Sequence, residues 1–211
     1  MLNYPNGKKL GLYDVPVSRL GEMAVISGRA FTHNNDPIGN YLFELEPDGE
    51  KLQLDFFRSL VSSVPADSVL LASSPNLEAI SIWFKPEHKD EGGGHEESKE
   101  AYSECSKETR SRVLSVVETI ESLIKECAPV QHWYLHLVAA KHEFMGKGYT
   151  SRLLRQMLSF VDSQKLPSTL VTQHEANIAL YEHLGFRVVK SREVQSTNLH
   201  FWFMQHDVKG D

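Results

Sequence analysis

The sequence predicts an α/β domain with a mixed, mostly antiparallel sheet of about seven strands flanked by helices. Three observations predict it. The apolar run Trp133 to Ala140 leads through a glycine pair, Gly146 and Gly148, into Leu153, Leu154, Met157, Leu158 and Val161 at helical spacing, so a strand turns tightly into a helix. Pairs of strand-like runs lie to either side of it: Ser68 to Ser73 with Leu77 to Phe84 around Ser74-Pro75-Asn76, and Phe186 to Val194 with Asn198 to His206. Between these runs apolar residues recur with a helical period. At 211 residues and 41% hydrophobic content one core suffices, so a single domain over 1–211 is expected.

In chain order, Leu10 to Val15 reads as the first strand, and Ser18 as the N-cap of a helix carrying Leu20, Met23, Ala24, Ile26 and Ala30 on one face. Phe31, Asp36, Pro37 and Tyr41 follow as an aromatic loop with a proline turn. Asp48 caps a helix from Gly49 to Val64, with Leu52, Phe56, Leu60 and Val61 on one side. Lys85 to Ser98, containing Gly92-Gly93-Gly94 and Glu96-Glu97, reads as a charged surface loop rather than a domain boundary. A long helix from Glu100 to Glu126 buries Val113, Val116, Val117, Ile120, Leu123 and Ile124. Beyond the glycine pair and its helix stand a short strand, Thr169 to Thr172, and a short helix from Glu175 that Gly185 closes.

Composition narrows the function classes. The net charge of −6 argues against nucleic acid and suits a cationic amine. No apolar run approaches the length of a membrane span and no leader pattern opens the chain, so a cytoplasmic protein without a membrane partner is the expectation. Cys105 and Cys127 fall about 33 Å apart along one helix, too far to bridge. No His/Cys cluster has ligand spacing, so no metal is expected.

The glycine pair has two readings. At a helix start the backbone N–H groups lack intrahelical partners and the dipole is positive, which favours a phosphate. Equally, Gly146 and Gly148 are what a tight connection needs. The Gly-Lys-Ser/Thr ending of a Walker loop and the third glycine of a dinucleotide fingerprint are both missing.

A second segment bears on the choice: Asn177 is followed at helical spacing by Tyr181 and then by Gly185-Phe186. The two segments together resemble the GCN5-related N-acetyltransferase (GNAT) family, whose acetyl-CoA loop reads Gln/Arg-x-x-Gly-x-Gly/Ala and whose later helix reads Asn-x-x-x-Tyr-x-x-x-Gly-Phe. The helix pattern is complete here, and Gly148 holds the central glycine of the loop. Met145 stands where Gln or Arg is usual, and Thr150 where Gly or Ala is usual. Met145 still supplies a backbone N–H; Thr150 brings a β-branched side chain whose hydroxyl can donate to phosphate.

The resemblance implies a GNAT fold with a V-shaped splay at the central strand, acetyl-CoA as acyl donor, and an amine acceptor. It assigns the donor to Met145, Gly146, Lys147, Gly148, Tyr149, Thr150 and Ser151, with the pantetheine arm along Val138, Ala139 and Ala140, where a family bulge turns an N–H toward the thioester oxygen. Asn177 meets the pantetheine amides, Tyr181 is the acid at sulfur, and His136 is the base. His142 and His183 read as exposed. Ala30-Phe31, Asp36-Pro37 and Tyr41 are also similar to the small-molecule type represented by puromycin N-acetyltransferase, which with Tyr134 places acceptor recognition there. The expected activity is transfer to the primary amine of a small molecule in a ternary complex. A protein lysine or N-terminus as acceptor, and a non-catalytic acyl-CoA sensor, stay open, as does a homodimer.

Overall fold

The computed structural model describes residues 4–33, 36–86, 102, 105–194 and 197–208. Its strands are β1 (Tyr13–Asp14), β2 (Val69–Ala72), β3 (Ala79–Phe84), β4 (Trp133–Ala140), β5 (Ser168–Thr172), β6 (Phe186–Glu193) and β7 (His200–His206). Its helices are α1 (Leu20–His33), α2 (Pro37–Phe43), α3 (Gly49–Ser62), α4 (Lys107–Cys127), α5 (Tyr149–Ser163) and α6 (Ala176–His183). The strands form one seven-stranded sheet in the order β1-β2-β3-β4-β5-β7-β6. Every neighbouring pair is antiparallel except β4 and β5.

That parallel pair positions the site. It is joined only at Trp133 with Ser168 and Tyr134 with Thr169, after which β4 continues for six residues, Leu135 to Ala140, without further pairing to β5. The sheet therefore splays open from its middle. On one face α5 buries Leu153, Leu154, Met157, Leu158 and Val161 against Trp83, Trp133 and Leu135. On the other, Met23 and Ala24 of α1, Val61 of α3 and Ile124 of α4 pack on Ile80, Ile82, Leu137 and Ala139. The helices are thus held by the apolar stripes read from the sequence.

The bulge falls earlier in β4 than expected. Val138, Ala139 and Ala140 are in regular pairs with Ser81, Ile80 and Ala79, whereas Ile82 pairs with Leu137 and its neighbour Trp83 with Leu135. His136 is the extra residue. One inserted residue shifts the alternation of a strand. Accordingly Trp133 and Leu135 share a face with Val138 and Ala140, and Tyr134 shares the opposite face with Leu137 and Ala139. The His136 ring stacks on Phe84 at 4.4 Å between centroids, which puts it on the Tyr134 face.

Other expectations are corrected in detail. The first strand has two residues instead of the run Leu10–Val15, because residues 6–12 close into turns through bonds such as Leu12 N–H to the Gly7 oxygen, with Gly11 at φ 67°. Ser18 lies inside a 3-10 turn, Val17–Arg19, entered from Pro16, and does not cap α1. Asp48 occupies the N-cap of α3 without a side-chain bond to it. Pro37 to Phe43 is a helix rather than a loop, with proline at its first turn. Ser106 starts the long helix by accepting from the Thr109 N–H, and the predicted start at Glu100 and the stretch 87–98 lie outside the described residues. No described helix is long and apolar enough to cross a membrane.

Candidate active site

The strand-to-helix turn after β4 is built by backbone conformation. His142–Phe144 forms one 3-10 turn, then Gly146 and Gly148 take the left-handed region at φ 69° and 82°. A side chain at either glycine would meet nothing within 4 Å, so these positions need glycine for its dihedral freedom and not for space. Gly148 is the N-cap of α5 and offers no side-chain cap, the first turn carries no acidic residue, and the ladder begins with Arg152 N–H bonding the Gly148 oxygen at 3.0 Å. The N–H groups of Tyr149, Thr150 and Ser151 precede that bond, which makes this helix start suited to an anion.

A cavity of about 720 Å³ extends from this turn through the splay. It brings together, from the residues singled out in the sequence, Phe31, Asp36, Tyr134, His136, Val138, Ala139, Ala140, Met145, Gly146, Gly148, Tyr149, Thr150, Ser151, Asn177 and Tyr181. Two are not in the wall. Lys147 directs its ammonium over the Phe144 ring at 5.5 Å, and the Tyr41 ring lies under the Arg112 guanidinium at 4.8 Å. His142 and His183 are exposed, as expected.

Tyr181 is 6% exposed, set edge-on to Phe186 at 5.9 Å. Burial pushes its phenol up to about 12, so at neutral pH it is a proton-bearing donor. Asn177 is in the first turn of α6, exposed, with its N–H bonded to the His174 oxygen. Its side chain does not cap the helix.

Asp36 is 3% exposed and caps α2, accepting from the Ile38 and Gly39 N–H groups at 3.0 Å each, while its other oxygen accepts from Gln173 Nε2 at 2.5 Å. The last bond ties α2 to the end of β5 beside the splay. Burial holds this carboxyl above its ordinary value, against the bonds from Gly39, Gln173 and Ile38, which pull it down. The unfolded carboxyl ionises near ~3.9, so above that pH the folded chain keeps the proton longer than the unfolded one and stability falls as pH rises through the folded value. Asp36→Asn retains a cap acceptor and cannot ionise. Its melting temperature is expected to lose less than that of the parent protein as pH rises above about 4; identical pH slopes in thermal melts would show that Asp36 is not the group responsible.

Sequence reasoning missed part of the wall: Phe57, Glu121, Phe144, Gln173 and His174 also line the cavity. Glu121 left a signal, since it directly follows Ile120 and lies one turn beyond Val117 on the apolar stripe of α4. Among the described residues no group of three or more His, Cys, Asp or Glu could hold a metal ion.

Known proteins share parts of this architecture. Residues 105–186 match the acetyltransferase (GNAT) family profile, a stretch that runs from the start of α4 to the start of β6 and includes the splay, the glycine turn and Tyr181. An uncharacterized N-acetyltransferase of Schizosaccharomyces pombe is 37% identical over 54 residues, which span 26% of this chain and 22% of that relative. A solved structure described as histone acetyltransferase HPA2 and related acetyltransferase, from Corynebacterium glutamicum, superposes with a TM-score of 0.61 at 15% identity, over 95% of this chain and 97% of the other. An insect protein named arylalkylamine N-acetyltransferase 7, from the yellow fever mosquito, gives 0.59 at 13% identity, over 94% and 87%. Identities this low establish the shared fold. Residues 105–186 thus carry the likeness to the acetyltransferase (GNAT) family, and the chain as a whole shares the fold of solved structures described as acetyltransferases.

Proposed function

We propose that this protein transfers the acetyl group of acetyl-CoA to the primary amine of a small molecule, with donor and acceptor bound together. The observation that supports this is one cavity, crossing the splay of β4 and β5, that gathers the uncapped helix start at Gly148, the bulged His136 and the buried Tyr181. The pyrophosphate is assigned to the N–H groups of the Gly146 to Ser151 turn, and the pantetheine arm to Val138, Ala139 and Ala140, where an extended chain can lie along β4 as an added strand. Asn177 meets its amides.

The arriving ammonium must lose one proton before its nitrogen can attack. A free histidine side chain ionises at about 6.5 and can accept a proton at neutral pH, and His136 takes this one directly or through water. A bond then forms from nitrogen to the thioester carbon, the C–S bond breaks, and the electron pair leaves on sulfur beside the Tyr181 hydroxyl. The nitrogen loses its second proton, and the thiolate gains one. Ammonium and thioester become amide, thiol and one proton in solution.

Apolar walls from α1, α3 and α4 on the acceptor side accord with a small acceptor, of the kind taken by the puromycin N-acetyltransferase type. Thiols rather than a disulfide at Cys105 and Cys127 accord with a cytoplasmic setting. Calorimetric titration with acetyl-CoA, followed by free-thiol release on adding amines, tests the reading. Binding with amine-dependent release supports it; binding without release makes the protein a sensor; failure to bind removes both.

His136 has its own test. Protonation of the base steepens the acid limb of log kcat/KM against pH. In His136→Ala that bend is expected to disappear, with kcat/KM about 100-fold lower at pH 7.5. An unaltered acid limb moves the base to water or another group.

A further inference from the structure

The cavity extends beyond the glycine turn and the end of β4, and that part of it has a distinct chemistry. Its walls come from the face of the sheet opposite α5: the end of α1, the start of α2, and the inward stripes of α3 and α4. Phe31 and Phe57 are stacked at 4.3 Å and 15°, and Phe56 meets Phe57 edge-on at 5.4 Å and 79°. Three rings thus form a fixed row, the middle one 4% exposed and held from both sides. Ile120 continues this surface, and the half-buried carboxylate of Glu121 stands next to it.

We infer that the acceptor is a primary amine with a single cationic group and a flat apolar body, an aralkyl amine, whose body lies on the Phe31, Phe56 and Phe57 row and whose ammonium is drawn in by Glu121. This rests on the acetyl-transfer reading above and narrows its substrate. Each buried methylene-sized group adds roughly fourfold in affinity, so a ring with about half of its surface against such a wall gains on the order of 100-fold. Rings already ordered by their own packing lose little freedom on binding. A polyamine would have to strip water from a second ammonium against phenyl rings, and a peptide would bring amide groups into the same surroundings, where unpaired polar groups are costly. Asp36, in the same wall, is fixed as the cap of α2 by the bonds from Ile38, Gly39 and Gln173. The apolar chamber has a second effect, because removing an ammonium from water favours its neutral form, the one that attacks.

The test compares thiol release with acetyl-CoA and 2-phenylethylamine, spermidine or a lysine-containing peptide, alongside calorimetry of each amine with the CoA-loaded protein. Phenylethylamine is expected to exceed the other two by about 100-fold in kcat/KM. Glu121→Gln is expected to raise its KM about tenfold while kcat and acetyl-CoA affinity stay within twofold. Phe31→Leu is expected to weaken phenylethylamine several-fold without changing the weak use of spermidine. Preference for spermidine or the peptide, equal use of all three, or an unchanged KM in Glu121→Gln overturns the assignment and leaves acetyl transfer standing. Phenylethylamine binding without thiol release from acetyl-CoA keeps the chamber and overturns the transfer reading. Absence of both binding and release overturns the two together.

Discussion

Gly148→Val is expected to weaken acetyl-CoA binding by at least about 100-fold in calorimetry while the protein stays folded. At φ 82° an L-residue is strained by roughly 1–2 kcal/mol, and more when β-branched, because its Cβ crowds the backbone. A domain stable by about 5–15 kcal/mol tolerates that loss. The helix start does not, since relief of the strain comes from rotating the peptides on either side of residue 148, which carry the N–H groups of the turn. Steric blockage within the protein is not the cause, because a side chain there meets nothing within 4 Å. Gly11→Val supplies the control: it has φ 67°, equally open surroundings and no place in the cavity wall, so it is expected to show a similar drop in melting temperature with unchanged binding. Equal retention of affinity in both variants would mean that the donor phosphates rest somewhere other than the Gly146–Ser151 turn.

The contrast between these glycines bears on what the sequence disclosed. The turn after β4 was legible because three signals coincide within a few residues: an apolar run, a glycine pair, and a change to helical period. Gly11 carried no such context, so its left-handed turn was absorbed into a strand from Leu10 that is only two residues long. Helix α2 was hidden by its length. Seven residues show less than two full turns of periodicity, and an Asp followed by Pro starts a turn as readily as a helix. The bulge was hidden for a different reason. β4 is apolar on both faces, so a one-residue shift of register exchanges one apolar set for another and leaves no mark in the polarity pattern. It becomes visible only in the pairing with β3. The proposed acceptor chamber draws on several helices at once: Phe56 lies on the apolar stripe of α3 and Glu121 beside that of α4, and only their common wall gives them a joint meaning.

Tyr181→Phe is expected to lower kcat by about 10–100-fold with acetyl-CoA affinity unchanged within twofold. The magnitude follows from what the phenol can do at the C–S bond. A thiol comparable to cysteine ionises near ~8.5, and a phenol pushed up to about 12 surrenders its proton to that thiolate only uphill, by about 5 kcal/mol. Transfer of the whole proton is therefore the costlier of the two ways in which Tyr181 can serve the sulfur. A hydrogen bond from the phenol to sulfur as charge develops needs no transfer, and a bond to a charged acceptor contributes about 1.5–3 kcal/mol, which converts to the stated loss in rate. Burial serves this role by keeping the proton on oxygen throughout the working pH range, so Tyr181 adds no alkaline break to kcat below about pH 10. The same burial makes the residue a liability at high pH: between about 10, where an unfolded tyrosine ionises, and about 12, the folded state keeps a proton that the unfolded state has lost, and stability falls as pH rises. The phenylalanine variant removes that fall, which gives a readout independent of catalysis. A variant that loses the alkaline instability and keeps full turnover would leave Tyr181 as part of the cavity wall and transfer the stabilisation of sulfur to water.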